Sequence, residues 1–97
     1  MKKEKVLTVL EEIAGSLNLK VRHEKGDFAG GSCIKEEEPI ILLNKRHMID
    51  KRITVLAREL AAFDLSAIEI PAPVMEIIES ERKRASEIEA ELEDTEE

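Results

Sequence analysis

Three side chains in the sequence could do nucleophilic or metal chemistry: the single cysteine, Cys33, and the two histidines, His23 and His47. A thiolate served by a nearby imidazole is the minimal thiol-enzyme pair, and Cys33 with both histidines would make a three-ligand metal set. The separations are ten and fourteen residues, which match no short ligand pair. Free cysteine is also among the most buried residue types, so Cys33 reads first as a small buried strand residue. Gly30-Gly31 could cradle a phosphate, but no Gly-Lys-Ser/Thr pattern or helix start follows, and a tight turn is the simpler reading. Lys45, Arg46, His47, Lys51 and Arg52 form a basic group that reads as a solvated face or as a partner for acidic chain.

These residues must be positioned by a small aliphatic domain. The chain has 97 residues, two phenylalanines and neither Trp nor Tyr, so base-stacking platforms are missing. Its formal charge is −7, which argues against nucleic acid and anionic membranes as partners. The longest apolar run, Ile40-Ile41-Leu42-Leu43, is far short of a membrane span, and the basic start turns acidic before a signal-peptide core forms. One cysteine permits no internal disulfide and suits a reducing, cytoplasmic compartment.

Val6, Leu10, Ile13 and Leu17 mark a helix over roughly 3–16, with Asn18 as its stop signal. Leu19, Val21 and His23 then alternate with Lys20, Arg22 and Glu24, the period of a half-exposed strand. A glycine loop over 25–31 leads to a short strand, 32–35, a turn at Glu36-Glu37-Glu38, and a longer strand, 39–44, apolar on both faces and therefore central or covered. The spacing of Ile49, Ile53, Leu56, Leu60 and Phe63 predicts a second helix, capped by Asp50 and ending near Asp64. Pro73 opens a third, whose stripe of Val74, Ile78, Ala85, Ile88 and Leu92 is broken by Glu81. The order implies an α+β domain, three helices packed on a three-stranded, mainly antiparallel sheet in the order αβββαα. Its body is expected over residues 1–80, with an acidic helix extension and tail over 81–97. Residues 1–72 carry twelve charges of each sign, so the whole net charge lies beyond them.

Gly30-Gly31-Ser32-Cys33, the strand Ile40 to Asn44 and the helix Arg52 to Ala62 together resemble the small zincin-like metallopeptidase core called minigluzincin. The chain also looks like short bacterial proteins in which that framework lacks its histidines. The resemblance covers roughly residues 3–80. It implies a His-Glu-x-x-His motif on the second helix, where two imidazoles one turn apart hold Zn²⁺ and the Glu activates water. Here Arg58 and Ala62 stand at the histidine positions and Glu59 at the general-base position. A guanidinium has no lone pair for a metal and a methyl has no ligand atom, so neither zinc nor another cofactor, nor catalysis, is expected. The third ligand of the family would be a Glu on the following helix, whose many acids leave the choice open.

The resulting expectation is a non-catalytic protein that binds a protein or peptide, since in active relatives a sheet edge holds substrate in extended form. The alternative is assembly: Ile88 and Leu92 at heptad-like spacing could pair the third helix with a second copy or dock it on a larger partner. An active hydrolase, through Cys33 or unusual metal ligands, is the third reading.

Overall fold

A computed structural model describes the backbone of residues 1–35 and 38–95 and, outside 33–35 and 89–95, their side chains. The elements are α1 (Lys3–Ser16), β1 (Lys20–Glu24), β2 (Gly31–Lys35), β3 (Glu38–Asn44), α2 (Ile49–Leu60) and α3 (Ala72–Thr95). The α+β class and the order αβββαα are as the sequence pattern implies. Glu36 and Glu37 of the expected turn lie outside the described residues, as does the Leu92 side chain.

α1 buries Val6, Leu7, Val9, Leu10, Ile13 and Ala14 along one stripe. It stops because Asn18 takes a left-handed conformation, φ 61°. The Asn18 amide then reaches the Gly15 carbonyl at 3.0 Å and the Leu19 amide reaches Ala14 at 2.9 Å. That pattern satisfies carbonyls the helix end would otherwise orphan, and asparagine tolerates the left-handed turn better than most residues.

The sheet order is β1-β3-β2. β3 is central, one of the two placements its apolar faces allow, and β2 pairs with it antiparallel as a hairpin. β1, however, runs parallel to β3, so the sheet is mixed where the sequence reading expects mainly antiparallel pairing. Alternation reports which face a strand buries and says nothing about its direction. Val21 aligns with Ile41 and His23 with Leu43, on the face that meets the helices. There Ile41 and Leu43 pack with Leu10, Leu56, Leu60, Val74 and Ile78 in one aliphatic core.

Parallel strands cannot be joined by a hairpin. The chain after β1 therefore crosses the end of β3 to reach β2, and residues 25–30 are that crossing. Asn44, the last residue of β3 and only 2% exposed, holds it in place. Its Nδ2 donates to the carbonyls of Gly26 and Phe28, both at 2.8 Å, and its Oδ1 accepts from the Arg46 amide at 3.0 Å. Gly30 closes the crossing at φ 86°, where a Cβ would stand 2.9 Å from the Leu42 carbonyl oxygen. Only glycine fits that approach.

α2 begins at Ile49 with Met48 as its cap residue, not at Asp50. The amides of Lys51 and Arg52 already bond back to the Met48 carbonyl, which places Asp50 inside the first turn. Its carboxylate there suits the positive helix end and pairs with Lys3 at 3.1 Å. The helix ends at Leu60, short of Asp64. Asp64 instead accepts the Ser66 amide at 3.0 Å and shapes the following loop, while Phe63, which extends the apolar period, lies on the surface.

α3 carries Pro73 in its first turn and inserts Val74 and Ile78 into the core. It then continues without a break through Thr95. Glu81 does not interrupt the stripe. It lies on the buried side, 5% exposed.

Candidate functional site

The residues at the degenerate motif positions lie on the last turn of α2 and just beyond it, because Arg58, Glu59 and Ala62 follow the buried Leu56, Ala57 and Leu60 around the helix. Arg58 faces α3, where its Nη2 is 3.5 Å from Glu81 Oε1. Arg84 Nη1 approaches the other oxygen of Glu81, also at 3.5 Å. Glu81 is thus a buried carboxylate flanked by two half-exposed guanidinium groups, the pairing a buried acidic side chain requires. Arg82 strengthens the same seam: its Nε donates to the Ala61 carbonyl at 3.0 Å and its Nη1 pairs with Glu79. The first of those bonds covers a carbonyl at the end of α2.

Glu59 faces the sheet. Its Oε1 lies 3.4 Å from the position a Cβ on Gly31 would occupy, so the start of β2 passes close to the carboxylate. Beside it opens a cavity of about 260 Å³ bordered by Leu19, Ser32, Pro39, Ile40, Ile41, Glu59, Ala62 and Phe63. Its lining is apolar except for the Ser32 hydroxyl and Glu59. β2 is an outer strand, hydrogen-bonded to β3 on one side among the described residues. Ala62 also borders a second cavity of about 290 Å³, with Arg58, Ala61, Arg82, Ala85 and Ser86, and a third of about 480 Å³ toward Asp64, Leu65 and Met75. Three depressions thus meet at one methyl group.

The other sequence candidates are not brought together. His23 is in β1, its ring Nε2 against Glu11 of α1. The Cys33 backbone is in β2, across the central strand from β1, and its register partner is Ile40 whereas that of His23 is Leu43. With strands about 4.8 Å apart, two strand spacings and three register rows separate the two backbones. The Cys33 side chain lies outside the described residues. His47 sits in the turn beyond Asn44, its amide bonded to the Asn44 carbonyl at 3.0 Å. Among the described residues no three His, Cys, Asp or Glu side chains converge as a metal site requires, and no helix is long and apolar enough to cross a membrane. In the basic group, Arg46 is paired with Asp27 at 3.2 Å and the Arg52 Nε is buried without a partner among the described residues.

One charge is set by local geometry. The backbone amide of Ser66, and then its side chain, holds the Asp64 carboxyl below the ordinary carboxylate value.

Sequence reasoning did not single out Glu81 or Arg82 as partners of α2. The signal was a charged residue on an apolar stripe, which implies either a break or a buried ion pair. No family model, curated protein sequence or solved structure matches the chain.

Proposed function

We propose that this chain is a non-catalytic peptide-binding module on a degenerate zincin-like scaffold, taking an extended segment along the outer edge of β2. The observation that carries it is the 260 Å³ cavity bordered by Ser32 of that edge strand, by Glu59 of α2 and by Ala62 and Phe63 just beyond the helix. Main-chain bonds to β2 would supply affinity, and the cavity would receive one apolar side chain of the segment. The lack of chemistry follows from the neighbourhood of Glu59. At the position the resemblance gives to one imidazole stands a guanidinium bound to Glu81, and at the other a methyl group. Glu59 therefore has no polarised water to deprotonate.

The test is titration of the ¹⁵N-labelled full chain with an acetylated, amidated octapeptide of alternating threonine and valine. Amide shifts over residues 31–35 and 59–63, abolished by Ala62→Trp, are expected. Shifts spread over the surface and indifferent to that substitution refute the binding reading. Stoichiometric zinc in the purified protein, or peptide cleavage that a chelator stops, refutes the non-catalytic half. Installing both imidazole donors with Arg58→His and Ala62→His tests the scaffold: zinc uptake weakened by Glu81→Gln is the expected result, and no uptake by the folded variant removes the resemblance.

A second reading, assembly through α3, is favoured by Ile88, which is 46% exposed on a helix that runs on to Thr95. Light scattering of the full chain against one ending after Glu87 decides it. That end point spares the contacts of Glu81 and Arg82 with α2, which a cut at Ser80 would destroy.

A further inference from the structure

The two smaller cavities beside Ala62 differ in charge. The one toward β2 has a carboxylate, Glu59, on its border. The one toward α3 is bordered, among the described residues, by two guanidinium groups, a hydroxyl and three alanine methyls and by no carboxylate. Around it the arginines Arg58, Arg82 and Arg84 outnumber the glutamates Glu79 and Glu81 that they pair with. The pairing is also incomplete. Among the described residues Arg58 commits only Nη2, and Arg82 commits Nε and Nη1. Arg58 Nε and Nη1 and Arg82 Nη2 have no acceptor among the described residues. Arginine forks match carboxylates in a way that a lysine point charge does not.

We infer that the cavity between α2 and α3 is a carboxylate subsite, so that the preferred ligand is an extended peptide with an acidic side chain within about three residues of its apolar anchor. This deepens the peptide-binding reading above and rests on it. The spacing follows from the shared border. Ala62 belongs to both cavities, and three extended residues span about 10 Å, enough to pass from one side of a single methyl to the other. Charge complementarity selects the occupant: an acidic peptide meets Arg58 and Arg82 over α3, while a basic residue at the same place meets two cations. Ser86 adds a hydroxyl that can donate to the same carboxylate.

The experiment uses three amidated peptides that share the threonine-valine segment and end in Leu-Glu-Glu, Leu-Gln-Gln or Leu-Lys-Lys, titrated into the full chain at about 0.1 M salt, where the Debye length is about 10 Å and the overall negative charge is largely screened. The acidic peptide is expected to bind at least tenfold tighter than the neutral one, and the basic peptide more weakly than either. Arg58→Gln should erase the acidic preference. Because that substitution also removes a partner of the buried Glu81, Ser86→Asp provides the second variant: it changes an exposed helix position and places a carboxylate in the cavity. It should cut affinity for the acidic peptide about tenfold and lower that for the neutral peptide by much less, so that the acidic preference is lost. Equal binding of all three peptides overturns the carboxylate subsite and leaves the binding reading standing, whereas binding of none overturns both.

Discussion

The two ends of β3 are built on opposite plans. At its C-terminal end every described hydrogen-bonding atom of the Asn44 side chain has a partner, and a glycine is pressed against a carbonyl to close the crossing. At its N-terminal end the chain leaves space: Pro39, Ile40 and Ile41 border a cavity whose far wall is Glu59, Ala62 and Phe63. The same strand is thus clasped at one end and open at the other. Polar groups that are fully satisfied fix a fold, and those left with free donors beside empty space are available to something else.

Substitutions separate the two ends by size of effect. Asn44→Ala should be the most damaging, because it removes a buried side chain that satisfies two part-buried carbonyls and an amide; a loss of about 3 kcal/mol in urea unfolding is expected. Gly30→Ala should follow at about 2 kcal/mol, combining a strained positive φ with the contact to Leu42. If either change costs less than about 0.5 kcal/mol, the clasp is not what holds the crossing. At the open end Glu81→Gln should cost about 1 kcal/mol, since the carboxylate is buried but both arginines are half exposed and screened. Ala62→Ser, on the open surface, should leave the thermal midpoint unmoved within about 2 °C. A larger loss there would make the cavities structural rather than vacant.

The smallest effect concerns pH. Asp64 has its folded-state value lowered by the Ser66 amide. Its contribution is complete above the ordinary carboxylate value of 3.8, and it is lost as pH falls through the lower folded value. Asp64→Asn should therefore flatten a slight acid-side slope in stability and leave stability near neutral pH almost unchanged. A change of slope near neutrality would refute that assignment.

Much of the framework was legible in sequence, whereas the contacts at both ends of β3 were not. Val6, Leu10 and Ile13 gave α1 its bounds because one buried face imposes one period. Ile40 to Leu43 marked β3 as central or covered because apolar side chains on both faces need shielding, and the strand is central. The role of Asn44 was hidden. A crossing loop with three glycines exposes carbonyls that need a donor, but which side chain supplies it depends on strand order. Glu81 was read as an interruption because its compensating cation, Arg58, comes from another helix 23 positions away. Phe63 extended the apparent length of α2 because the apolar period persists after the helical bonds have stopped. The direction of β1 leaves no trace in alternation.

The parallel pairing of β1 with β3 also dictates an order of events as the chain is made. β1 must wait for β3, which is synthesised about twenty residues later, and α1 must wait longer still for the apolar side of α2. Until then the first helix has only β1 to lie against, so much of its aliphatic stripe is the surface a nascent chain would most readily offer to a chaperone.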